Sequence, residues 1–204
     1  MQRPIKSQHE RAVQLFRGHG GLLRTKEALR AGVHPRTLYA MKSAGVVERL
    51  SRGLYRLAEM PPLGNPDLVS VAAKVPQGVI CLISALAYHE LTTQIPHEVY
   101  VALAKGAEQP RLTHPPLRVF WFSGLSATEG IQVHNVDGVP VRIYSPEKTL
   151  ADCFKFRNRI GIEVAIEALK LYRARGRVRV DDIMRFARIC RVEEVIKPYL
   201  EAVL

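Results

Sequence analysis

His34-Pro35-Arg36-Thr37-Leu38-Tyr39-Ala40-Met41-Lys42-Ser43-Ala44-Gly45-Val46-Val47-Glu48-Arg49-Leu50-Ser51-Arg52-Gly53-Leu54-Tyr55-Arg56-Leu57 is the stretch that decides the fold. Pro35 suits the first turn of a helix, because its fixed φ is already helical and its missing N–H would have had no partner there. From Pro35 a helix runs to about Ala44. Leu38 and Met41 are spaced to face a core, which leaves Arg36, Thr37, Ala40 and Ser43 on another face with Tyr39 and Lys42 beside it. Gly45 ends the helix. Val46–Leu50 and Leu54–Leu57 read as strands around Ser51-Arg52-Gly53, a turn in which Gly53 permits positive φ.

Upstream, Ser7 to Arg17 reads as an amphipathic helix carrying Val13 and Phe16, stopped by Gly18, Gly20 and Gly21. Thr25 is a candidate cap for a short second helix with Ala28 and Leu29 facing inward, and Gly32 closes it. Short helices joined by a tight Gly-containing turn and followed by a hairpin make a winged helix-turn-helix. The Pro35–Ala44 helix is then the one that enters a major groove of double-stranded DNA. Arg36 is the candidate guanine contact. Thr37 and Tyr39 are candidates for a phosphate or a thymine methyl, and Lys42 lies beside them. Ser51, Arg49, Arg52 and Arg56 lie on or near the wing, where a contact positions the protein on the backbone rather than reading sequence.

The charge distribution agrees. The chain has a formal charge of +11, and residues 1–60 hold twelve Lys and Arg against four Asp and Glu. Such concentration is the footprint of a polyanion binder. Charge alone leaves a merely solvated basic face equally open. Apolar residues make up 47% of the chain, enough for a packed core, and no apolar run is long enough to span a bilayer. No secretory signal is legible at the N-terminus. Cys81, Cys153 and Cys190 are odd in number and set in apolar contexts, so reduced core thiols in a cytoplasmic protein are expected.

Three prolines and a glycine in Met60–Pro66 mark a linker. The expected organisation is a DNA-binding domain over 1–60, a linker at 61–66, and a second domain over 67–204. In the second domain, Asp67–Lys74 reads as a helix. Ser84 is a candidate cap within the apolar run Val79–Leu91. Val99–Leu103, Leu117–Phe122, Ile131–Asn135 and Val139–Tyr144 read as strands, the last two around the hairpin dipeptide Asp137-Gly138. Ser145-Pro146-Glu147 opens a helix, and helices follow from Gly161 onward. The fold class is therefore α+β: a winged helix-turn-helix, then a mixed domain with a small sheet and a helical C-terminal part.

Gly21–Thr25, Gly32-Val33, the Arg36–Met41 helix and Gly45–Leu57, with its Ser-Arg-Gly-Leu-Tyr-Arg-Leu wing, resemble the N-terminal domain of AbiEi-type antitoxins. Val79–Thr92 and Val141–Asp152 are similar to segments of that family's larger domain. The resemblance implies a bacterial regulator tied to phage defence. Its winged helix would repress its own operon by binding promoter repeats, with a homodimer possible on DNA. Its second domain would antagonise a nucleotidyltransferase-like toxin encoded alongside, in the type IV manner, without a stable complex.

Little else in the sequence suggests chemistry. Ser145-Pro-Glu-Lys148 matches S-x-x-K, but S-D-N and K-T-G are absent, and Ser145 as a helix cap with Pro146 after it explains the residues. No H-E-x-x-H, C-x-x-C or glycine-rich phosphate loop occurs, so no metal, no cofactor and no catalytic activity are expected. Arg173, Arg175, Arg177 and Arg179 form a second basic cluster, a candidate nucleic-acid or antitoxicity patch, with a solvated loop as the alternative. A stand-alone regulator whose second domain binds a ligand or protein also remains open.

Overall fold

The computed structural model describes residues 5–203, which gather into two compact units. One runs to Pro76 and includes Asn135–Pro140; the other holds Gln77–His134 and Val141 onward.

The first unit comprises α1 (Ile5–Gly18), β1 (Leu22–Arg24), α2 (Thr25–Arg30), α3 (Pro35–Ser43), β2 (Val47–Ser51), β3 (Leu54–Leu57) and α4 (Pro66–Lys74). Its strands lie in the order β1-β3-β2, antiparallel throughout. The helices pack on this sheet through Ala12, Phe16, Leu23, Ala28, Leu38, Met41, Val47, Tyr55 and Leu57. Phe16 and Met41 are fully buried, as the helical spacing requires. Gly21, at φ +80°, ends α1 by donating its N–H to Phe16 O at 2.7 Å.

Three details depart from the sequence reading. Leu22–Arg24 is a strand, three residues long and too short to show a period. Leu29, expected inward, is 41% exposed, because Ala28 takes the core position on this six-residue helix. The cap of α2 is Arg24 rather than Thr25, and Glu27 Oε2 accepts from Arg24 N at 2.9 Å. Beyond the expected linker, α4 sits in the first unit, where the Arg24 guanidinium donates to Ala72 O at 3.4 Å.

The second unit is built on β4 (Val79–Ile80), β5 (Val99–Ala104), β6 (Leu117–Phe122), β7 (Ile131–Val136) and β8 (Val139–Tyr144), in the order β6-β5-β4-β8-β7. Ile80 pairs in parallel with Ile143, so Val79–Thr92 and Val141–Asp152 meet in the middle of the sheet. Asp137 and Gly138 both take positive φ, as the favoured two-residue hairpin turn demands. The helices α5 (Leu82–Tyr88), α6 (Leu125–Thr128), α7 (Pro146–Lys155), α8 (Arg157–Ile160), α9 (Ile162–Ala174), α10 (Val180–Cys190) and α11 (Glu193–Val203) complete it. Ser84 is not the cap of α5; Cys81 holds that position, and Ser84 Oγ accepts from Tyr100 N at 2.9 Å, tying helix to strand.

The sheet and α7 meet in a core that includes Phe120, Phe122, Tyr144, Leu150 and Phe154. Inside it, Lys148 Nζ donates to both Asp152 carboxylate oxygens at 2.5 and 2.6 Å, with both side chains fully buried. Cys190 Sγ donates to Asp152 Oδ1 at 3.2 Å, and the ammonium lies 4.3 Å from the Tyr144 ring centroid. Every polar partner is local, which is the condition for tolerating a buried charge. Cys81, Cys153 and Cys190 are free and buried. Among the described residues, no helix is long and apolar enough to cross a membrane.

Candidate nucleic-acid interface

The reading helix α3 begins at Pro35, with the His34 side chain accepting from Arg36 N at 3.2 Å. Leu38 and Met41 anchor one face in the core, at 2% and 0% exposure. That burial fixes the rotation of the helix and turns Arg36, Tyr39 and Lys42 to solvent. Tyr39 is 62% exposed. The exposed face therefore offers a guanidinium, a phenol and an ammonium on successive turns, a set of donors suited to base edges and phosphates.

Two predicted contacts are corrected by burial. Thr37 is only 8% exposed, and its hydroxyl faces α1, 3.5 Å from Gln8 Oε1. Arg56 is 6% exposed. Its guanidinium donates to Glu48 Oε1 at 2.9 Å and to Pro61 O. Arg56 ties β3 to β2 and to the segment after the wing, so it is not available to a phosphate. Its register explains this: Arg56 stands opposite Glu48 on one neighbour and Leu22 on the other, in the centre of the sheet.

Arg49 and Arg52 remain exposed on the wing; the Ser51 side chain lies outside the described residues. The wing tip is held in place by Thr25 N, which donates to Gly53 O at 2.9 Å. Two further cations converge on this tip that the sequence reading did not single out. Arg24 is paired in register with Leu54. Lys74 closes α4, its ammonium 4.0 Å from where a Cβ on Gly53 would stand. Partial burial, then the charges of Arg24, Arg49 and Arg52, hold the Lys74 ammonium below its ordinary pKa. No sequence pattern could have found Lys74, because its position depends on how α4 packs. Arg17 is committed to Glu59 at 3.0 Å.

The second basic cluster is less uniform than its sequence suggests. Arg179 bridges Glu147 at 3.0 Å and Asp182 at 3.3 Å. Arg175 donates to His89 O and pairs with Glu90. Both therefore serve the structure and are corrected out of the free patch. Arg173 and Arg177 are exposed and make no ion pair among the described residues. Glu147 is nearly buried and also accepts from Tyr172 Oη at 2.7 Å; burial and this bond push the Tyr172 phenol up to about 12. The S-x-x-K pattern does not assemble as a nucleophile and base. Ser145 Oγ caps α7 by accepting from Lys148 N at 3.3 Å, while the Lys148 ammonium turns to Asp152. No group of three or more His, Cys, Asp and Glu suited to a metal ion occurs among the described residues.

Comparison with known proteins adds to this geometry. No curated protein matches the sequence. The fold is similar to that in the crystal structure of the RV2827C protein from Mycobacterium tuberculosis. The TM-score is 0.55 at 11% identity, over 98% of this chain and 83% of that one. Residues 10–58, the segment from α1 through the wing, match the family described as transcriptional regulator, AbiEi antitoxin.

Proposed function

We propose that the chain is a DNA-binding autorepressor that also serves as an antitoxin. The observation that carries the first half is the exposure of Arg36, Tyr39 and Lys42 on α3 and of Arg52 on the wing. In this reading α3 lies in the major groove of promoter DNA and the wing grips the adjacent backbone. Paired promoter repeats would call for a homodimer, one winged helix per half-site.

The second unit would counteract a nucleotidyltransferase-like toxin encoded next to this chain, without a lasting complex. The family match of the first unit, over residues 10–58, supports this half. The exposed Arg173 and Arg177 are the candidate antitoxicity residues, and competition for an RNA used by the toxin would explain protection without a complex. The reading places the protein in the bacterial cytoplasm, in phage defence, with no cofactor and no catalytic step.

The test is a gel shift on the DNA upstream of the coding sequence, paired with growth rescue on co-expression of the adjacent gene product. Wild type should shift the DNA and restore growth. No shift sinks the repressor half, and no rescue sinks the antitoxin half.

A further inference from the structure

A cleft of about 580 Å³ opens between α1 and the start of α3, within the first unit. Leu15 and Val33 contribute to an apolar floor, and Gln8, Arg11, His34 and Thr37 supply polar walls. Its size is that of a site for a small molecule.

The polar groups are of one kind. Arg11 is exposed and forms no ion pair among the described residues. His34 Nδ1 accepts from Arg36 N at 3.2 Å, so Nε2 carries the ring hydrogen and is a donor. Thr37 is 8% exposed, and its hydroxyl donates to Gln8 Oε1 at 3.5 Å, which leaves the Gln8 amide NH2 as a further donor. The Thr37 N–H, in the first turn of α3, has no acceptor within the helix. No acidic side chain is among the described lining residues. Donors without a matching acceptor, beside apolar surface, suit an anion with an apolar body. Loose packing of α1 on α3 would leave the apolar floor but does not account for the donors.

We propose that this cleft binds a small organic anion, its charged head on Arg11 and the Thr37 N–H and its apolar body on Leu15 and Val33. His34 and Thr37 stand at the start of α3, so an occupant ties that first turn to α1 and acts as an effector of the reading helix. Arg36 and Tyr39 stay exposed to DNA. Ordering the turn in advance spares the duplex that cost. Anion and duplex therefore bind together, and each raises the other's affinity by the same factor. The effector role rests on the DNA-binding reading; the anion site does not.

The test is a titration of the full chain with benzoate and, separately, with inorganic phosphate. The readout is the amide shifts of Val33 and Thr37 in proton–nitrogen correlation spectra. Benzoate should give saturable shifts. Arg11→Gln should weaken its binding by about tenfold or more, and Arg11→Lys should retain most of it. Ala31→Leu, which narrows the cleft without altering charge, should also weaken it, and Lys197→Gln, in the second unit, should leave it unchanged. No saturable shift with either probe, or equal affinity in Arg11→Gln, overturns the site. Saturation with phosphate alone overturns the apolar body of the ligand. Fluorescence anisotropy of a labelled duplex of the upstream DNA then reads the effector role. Saturating benzoate should tighten duplex binding by about fivefold or more. An unchanged duplex affinity overturns the effector role and leaves the site standing. Absence of duplex binding with and without benzoate overturns the DNA-binding reading and not the site.

Discussion

Replacing Arg56 with alanine separates what the wing sequence suggests from what its packing does. By sequence Arg56 is a third wing cation; in the fold its side chain is 8% exposed and bonded to Glu48 and Pro61 O. A charge-assisted hydrogen bond contributes about 1.5–3 kcal/mol when buried. The Glu48 side chain is 48% exposed, so solvent screens the pair and the lower end applies. The cost of Arg56→Ala is then about 1–2 kcal/mol, a fall in melting temperature of roughly 5–15 °C for a unit of this size. Arg56→Met keeps the aliphatic stem and should recover part of that loss. The assays are a thermal melt and, on the folded variant below its transition, a salt titration of duplex binding. A lower melting temperature with an unchanged salt slope is expected. If Arg56→Ala melts like wild type but loses slope as Arg52→Ala does, the guanidinium contacts phosphate and the packing argument is refuted.

Lys148→Met alone strands the buried Asp152 carboxylate and should destabilise by about 3–5 kcal/mol, whereas adding Asp152→Leu should restore much of the loss. Equal urea midpoints for the single and double variants would contradict this. Burial keeps the His89 imidazole below its ordinary pKa, despite the bond to Tyr144 O at 2.7 Å. The unfolded chain therefore binds that proton more readily. The stability from neutral His89 is present above about pH 6.5 and is lost as pH falls below it. His89→Gln should flatten this acid limb in denaturant titrations, and an unaltered limb would show that another group sets it. Reversing Arg173 and Arg177 to glutamate should abolish growth rescue while sparing promoter binding. Rescue that survives the reversal removes those residues from the antitoxin role.

Much of the first unit was legible because its signals are local. Pro35 marks the start of α3, Leu38 and Met41 set its buried face, and Gly53 sits at the turn with φ +77°. The same holds for Asp137-Gly138 and for Ser145 as the cap of α7. What escaped depends on packing between distant segments. β1 is a strand only because β3 pairs with it. Arg56 and Thr37 are withdrawn from solvent by Glu48 and by α1, which no wing or helix pattern reveals. Arg175 and Arg179 look like free cations in a run of arginines until Glu90 and Glu147 arrive from far along the chain. Lys148 and Asp152 were four apart on a helix, a spacing usually found on surfaces, and only the fold buries them.

The measurement closest to the central claim compares duplex binding by wild type, Arg36→Ala and Arg52→Ala on the chain's own upstream DNA and on a scrambled duplex, across a range of salt. If α3 reads bases and the wing grips the backbone, Arg36→Ala loses preference for its own DNA by about 1–3 kcal/mol, roughly 5- to 150-fold. Arg52→Ala should keep that preference and lose about 0.9 from the salt slope. Wild-type preference and wild-type slope in both variants would contradict the account.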